Sequence, residues 1–207
     1  SHAGLTLGED GATHQILEDI ALMRTLPEMT VIVPCDYNQT YLATIAIANM
    51  NGPCYLRFGR PKVPNFTNIE EEFTIGKAQV LEEGKDVTIV ACGHLVWSAL
   101  KAAEVLKEKG FSAEVINMHT IKPFDEPALI RSVLKTRCLV TAEEHQINGG
   151  LGDLCANILS RKNPTPIEMV AVEDTFGESG TPDELLVKYG LDTKDIIRAC
   201  ETVMKRK

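Results

Sequence analysis

Residues 86–119 read DVTIVACGHLVWSALKAAEVLKEKGFSAEVINMH. VTIVAC is a continuous apolar and β-branched run, as expected of a strand covered on both faces. A helix is expected from about His94 to Lys109, and AEVINMH is a second strand. Strands separated by helices of this length need right-handed crossovers. The expected fold is therefore a mainly parallel sheet with helices on both faces.

The same alternation continues outward. Downstream come a helix after Pro127, the strand RCLVTAEEH, a helix from about Leu151 and the strand IEMVAVED. TPDELLVKYG and LDTKDIIRACETVMKRK read as two closing helices, capped at Thr181 and at Asp192 or Thr193. Upstream, KAQVLEEGKDVTIVACG suggests a hairpin-like entry into the first buried strand. Nearer the start, HQILEDIALMRTL carries Ile16, Leu17, Ile20 and Leu22 or Met23 at helical spacing until Pro27. TVIVP is then a strand, Asp36 caps the helix YNQTYLATIAIANM, and PCYLRFG is another strand. Between these blocks GRPKVPNFTNIEEEF is broken by proline, acidic and aperiodic, as in a linker. The division falls near Thr67, giving units 1–66 and 67–207.

With 44% hydrophobic and 24% charged residues, 207 residues suffice for one large domain or two smaller ones. The net charge of -8 argues against a nucleic-acid partner, Lys205-Arg206-Lys207 reading as a solvated tail. Any anionic ligand must be gripped locally. No apolar stretch approaches the roughly 20 residues of a bilayer span, and the start lacks the basic and apolar regions of a signal peptide. A cytoplasmic chain with no membrane partner is expected. Cys35, Cys54, Cys92, Cys138, Cys155 and Cys200 are scattered without a C-x-x-C pair and are expected as buried free thiols.

In an open α/β sheet, ligands collect beyond the carboxyl ends of the strands, which makes VACGH, NMHTIKP, AEEHQINGGLG and VEDTFGESG candidate loops. GGLG lacks the full dinucleotide fingerprint and reads better as a tight turn for close helix–sheet packing. The densest chemistry lies in the opening SHAGLTLGEDGATHQILED. Gly8 and Gly11 bracket Glu9 and Asp10, so the backbone can turn sharply and present a carboxylate. Thr13 is placed to cap the next helix, leaving His14 in its first turn, where the helix N-terminus favours a neutral imidazole. Spacing alone leaves Glu9, Asp10 and His14 balanced between function and turn decoration, and His2 reads as solvated. Arg60, before Pro61, and nearby Arg57 stay open between a phosphate ligand and a surface charge.

HAGLTLGEDGATHQILEDIALMRTLPEMTVIVPCDYNQT resembles the pyrimidine-binding domain of transketolases. There a histidine, G-E-D-G-x-T-H-Q, an R-x-x-P-x-M helix exit and a P-x-D strand end follow in this order. GPCYLRFGRP is similar to that domain's last strand and phosphate-binding arginine. AEEHQINGGLGDL and VEDTFGESGTPDELLVKYGL are similar to the transketolase C-terminal domain. Ala12 and Ala3-Gly4 favour split transketolases, whose halves are separate subunits.

The resemblance implies an α/β fold: a partial thiamine-pyrimidine-binding domain over residues 1–66, then a three-layer α/β/α C-terminal domain with a mostly parallel sheet. It implies a transferase of the pentose phosphate pathway that moves a two-carbon ketol unit between sugar phosphates. It also implies an N-terminal transketolase subunit or domain as partner, and a homodimer. His14 and Asp10 are implied as catalytic, and His2, Asp10 and Arg60 as substrate ligands, with Arg57 the rival for the phosphate. Thiamine diphosphate and a divalent Mg or Ca ion are implied for the full assembly. The family's cofactor glutamate, its aromatic cradle and the metal-binding G-D-G motif are not found in these residues. The chain alone is therefore expected to hold no cofactor or metal and to be inactive. 1-Deoxyxylulose-5-phosphate synthase, expected to carry His where Gln15 stands, is the alternative enzyme, ahead of a 2-oxo acid dehydrogenase β subunit. A non-catalytic dimerising module is the alternative outside enzymes.

Overall fold

A computed structural model describes Ser1–Lys207. In chain order it contains a 3-10 turn (Leu5–Leu7), α1 (Asp19–Thr25), β1 (Thr30–Ile32), α2 (Tyr37–Ala48), β2 (Cys54–Leu56), β3 (Gln79–Glu82), β4 (Val87–Ala91), α3 (Leu95–Glu108), β5 (Ala113–Asn117) and β6 (Thr120–Lys122). Then follow α4 (Glu126–Thr136), β7 (Leu139–Gln146), α5 (Leu151–Lys162), β8 (Ile167–Val172), α6 (Pro182–Lys188) and α7 (Thr193–Met204).

The larger sheet has the order β3-β5-β4-β7-β8. β5, β4, β7 and β8 run parallel, and β3 lies antiparallel at the edge. Because successive strand residues point to opposite faces, Val87, Ile89 and Ala91 enter one core and Val90 the other. The first core packs against α3 and α7, the second against α4 and α5. This is the α/β/α layering expected from residues 86–119. The α3 stripe Leu95, Val96, Ala99, Ala102, Ala103 and Leu106 is buried at helical spacing. Capping boxes at Thr181 with Glu184 and at Asp192 with Asp195 start the last two helices.

The smaller sheet has the order β2-β1-β6. β1 and β2 are parallel, joined by α2, whose N-cap Asp36 accepts from Gln39 N. The third strand, β6, was not foreseen; the segment NMHTIKP reads as a loop, but the chain leaves β5 and pairs antiparallel with β1. A strand from the second half thus completes the sheet of the first.

Two further expectations are corrected. α1 begins at Asp19, with Glu18 at its N-cap, so neither Thr13 nor His14 belongs to it. Ile16 instead bridges to Ala3, and the Leu17 carbonyl accepts from Gln146 N at 2.8 Å. Tertiary pairing overrides helical spacing there, although Leu17 and Ile20 are still buried. The hairpin-like entry is absent as well: β3 pairs with β5, not with β4. All six cysteines are free, Cys54 half-buried and the others buried. No helix is long and apolar enough to cross a membrane.

Gly84 marks how tightly β3 leads into β4. A Cβ there would lie 2.2 Å from Ala113 C and Glu114 N, which are backbone atoms that cannot swing away. Gly84→Ala should therefore destabilise the fold by about 2–3 kcal/mol, as overpacking does. Urea unfolding would check this through a lowered midpoint.

Candidate active site

The opening segment forms a closed surface loop. Gly4 N donates to Ile16 O at 2.9 Å and Ala3 N to Phe58 O at 3.3 Å, so residues 4 and 16 close its neck. Between them run three tandem turns, with Gly8 N bonded to Leu5 O, Gly11 N to Gly8 O and His14 N to Gly11 O. Gly8 and Gly11, at φ 93° and 73°, occupy the joints, where an L side chain would be strained. The sharp turning expected around Glu9 and Asp10 thus has a definite geometry.

Asp10 and Arg60 meet. Arg60 Nη1 stands 2.6 Å from Asp10 Oδ2, with about half of each side chain exposed. His14 lies on the same loop, exposed, with Nδ1 2.9 Å from Thr13 Oγ1. The argument for a neutral imidazole from a helix N-terminus lapses, because no helix starts there. His2 is exposed at the foot of the loop, at φ 71°, with Nδ1 2.9 Å from Ser1 Oγ. Neither histidine is bonded to the Asp10–Arg60 pair.

Arg57, open as a rival for phosphate, is committed elsewhere. It is 5% exposed and bonds Asp19 Oδ2 at 2.8 Å through Nε and Glu144 O at 2.9 Å through Nη2. Tyr55 donates to the same Asp19 oxygen at 2.8 Å. Burial raises the Asp19 carboxyl, but attraction and hydrogen bonding from Arg57, with the Tyr55 bond, outweigh it and hold the group below its ordinary value. The guanidinium links β2, α1 and β7.

The loop AEEHQINGGLG plays two internal roles. Glu143 accepts from Leu151 N at 2.7 Å and Gly152 N at 2.8 Å, so the N-terminus of α5 already faces a carboxylate of its own chain. Burial pushes the Glu143 carboxyl up to about 7 despite these bonds. Glu144 accepts from Thr6 N at 2.5 Å and Thr6 Oγ1 at 3.2 Å, hanging the opening loop on β7. His94 Nε2 stands 3.1 Å from Glu144 Oε2, without the alignment of a hydrogen bond. A cavity of about 430 Å³, lined among others by Val33, Tyr37, Arg57, Phe58, His94 and Glu144, lies beside this contact. Sequence reasoning missed Glu144, Gln15 and the cavity; an acidic pair ending a strand beneath a candidate loop was the one available signal.

Residues 1–65 match the transketolase pyrimidine binding domain, and residues 76–196 match the transketolase C-terminal domain. The chain belongs to the transketolase family. Among similar proteins is the 6-deoxy-6-sulfo-D-fructose transketolase subunit SqwH of Clostridium sp., 45% identical over 207 residues, covering all of this chain and 64% of that protein. Another is a putative transketolase C-terminal section of Methanocaldococcus jannaschii, 44% identical over 209 residues, covering all of this chain and 65% of that protein. A solved structure described as a split gene transketolase, inactive beta4 tetramer, is 45% identical with a TM-score of 0.92, covering 99% of this chain and 65% of that one. The transketolase chain described here therefore spans just under two thirds of the length of these relatives.

The two arginines should separate cleanly in stability. Arg57→Ala strands a buried carboxylate and should cost about 3–5 kcal/mol, whereas Arg60→Ala, removing a half-exposed pair, should change stability by about 1 kcal/mol or less. Denaturant unfolding of both variants gives the comparison. Glu143 supplies a pH test. Its folded pKa, about 7, lies above the ordinary 4.5, so the native state binds the extra proton between these values. The stability contribution is full below 4.5 and is lost as pH rises to about 7. Glu143→Gln should abolish this decline in urea titrations across that window.

Proposed function

We propose that this chain is the C-terminal part of a split transketolase. Joined to a complementary N-terminal part, it takes part in moving a two-carbon ketol unit from a ketose phosphate to an aldose phosphate. The observation that carries this reading is the pairing of Asp10 with Arg60 on the glycine-turned loop that bears His14. An exposed ion pair contributes no more than ~1 kcal/mol, so a phosphate dianion matching the guanidinium fork can take Arg60 from Asp10. Asp10 is then free to accept a hydrogen bond from a sugar hydroxyl. His14, exposed four residues on, can accept or donate a proton at a substrate oxygen. His2 adds a second donor for the phosphate. A protein of net charge -8 needs such a local cationic grip.

No group of three or more His, Cys, Asp or Glu side chains is gathered to hold a metal ion. We assign thiamine diphosphate, with a Mg or Ca ion, to the full assembly, where it would supply the electron sink for carbon–carbon cleavage. The same reading keeps the domain division near Thr67, the location cytoplasmic and the substrates among the sugar phosphates of the pentose phosphate pathway. It also has the chain associate with itself, as a homodimer at least, the relative described as a beta4 tetramer lending support.

Steady-state kinetics of the assembled enzyme test the site. His14→Ala should lower kcat for phosphorylated and unphosphorylated sugars alike. Arg60→Ala should mainly raise KM, by the equivalent of about 1.5–3 kcal/mol, and only for phosphorylated sugars. Equal impairment of Arg60→Ala on both substrate kinds would remove the phosphate assignment.

A further inference from the structure

Gln15 follows His14 and has no chemistry of its own in the ketol transfer. Its side chain is nevertheless one of the few buried polar groups of the opening segment, at 9% exposure. Nε2 donates to Leu5 O at 3.0 Å and to Glu178 O at 2.9 Å, with Gly8 O a longer third contact at 3.4 Å. Leu5 O and Gly8 O are the acceptors that close the first two tandem turns of the loop. Glu178 belongs to the segment between β8 and α6. One amide nitrogen thus ties the joints of the loop to each other and to the second half of the chain.

The surrounding residues are shaped for this contact. A Cβ on Gly177 would lie 1.9 Å from Gln15 Oε1, so only glycine leaves room for the amide. A Cβ on Gly11 would lie 2.6 Å from Ser179 Oγ, showing how closely the loop is pressed onto residues 177–180. The orientation of the amide is set by its neighbours: reversed, it would place Oε1 against three carbonyl oxygens. As oriented, Oε1 is buried without a partner. Tolerating an unpaired amide oxygen to keep the donor in place points to a need for the donor, because an apolar side chain would fill the same space without that cost.

We propose that Gln15 is a positioning residue for the substrate site: its amide fixes the tandem turns so that Asp10 and His14 are presented together to the sugar. This rests on the assignment of those two residues to the substrate. Acting through His14 and Asp10, Gln15 touches no reacting atom, and its effect is on where those side chains stand.

The test uses the full chain assembled with its complementary subunit, and the full chain alone for hydrogen exchange. Gln15→Met keeps the volume and removes the donors. It should lower kcat by about 10- to 100-fold, with a smaller change in KM, as expected of misplaced catalytic groups. Amides of residues 8–14 should exchange faster while those of α3 are unchanged. The double variant His14→Ala/Gln15→Met should lose less than the product of the two single losses, because only the placement of Asp10 still counts once the imidazole is gone. Gln15→Glu, which sets a carboxylate oxygen against the three carbonyls, should show the same pattern and serves if the Met variant does not fold. A kcat for Gln15→Met within about twofold of the parent, or losses that multiply in the double variant, would overturn the proposal. So would faster exchange in α3 as well as in the loop. If His14→Ala leaves ketol transfer intact, the assignment of His14 falls instead. Loop exchange then decides whether Gln15 holds the turns.

Discussion

A single buried guanidinium joins the parts on which the site depends. Arg57 leaves β2, meets the first residue of α1 at Asp19, and reaches the Glu144 carbonyl on β7. Its charge is matched by one carboxylate that also takes the Tyr55 hydroxyl, so desolvation is offset by paired and well-aligned bonds. Such an arrangement has one good geometry. It sets where β2 ends, hence where Phe58 O receives Ala3 N and where Arg60 emerges three residues later.

The opening loop inherits that geometry and adds its own. Glu144 hangs it from β7 through Thr6, the Ala3 and Gly4 amides close its neck, and Gln15 ties its turns to the segment after β8. Every one of these anchors is a backbone group or a buried side chain. The residues left exposed on the loop are Glu9, Asp10, Ala12, Thr13 and His14, three of them titratable. A loop built this way combines a rigid frame with accessible polar side chains.

The two halves are consequently one structure, not beads on a linker. β6 comes from the second half but completes the first sheet, and Leu5, Leu17 and Cys35 of the first half lie in the core formed by α3, α7 and the large sheet. The parallel sheet itself needs little from the first half, since β4, β5, β7 and β8 are covered by α3, α4, α5 and α7. The placement of the loop residues needs both.

The sequence by itself determined the α/β class and the helix caps at Asp36 and Thr181, and narrowed the last cap to Asp192 or Thr193. These rest on local causes: strand–helix periodicity, side chains that satisfy amides two or three residues away, and glycines that permit turns. Only resemblance to transketolases, not spacing, suggests roles for Asp10, His14, His2 and Arg60. Only the tertiary structure decided that Arg57 is internal and Arg60 external, because the two differ in nothing but the direction the chain takes between them. It alone moved the start of α1 from His14 to Asp19, because Ile16 and Leu17 gain more from pairing with Ala3 and Gln146 than from a helical turn. β6, Glu144 and Gln15 were hidden for the same reason: β6 pairs with the distant β1, Glu144 holds Thr6 across 138 positions and Gln15 reaches Glu178 across 163, and such long-range hydrogen bonds leave no periodic trace in the residues that make them.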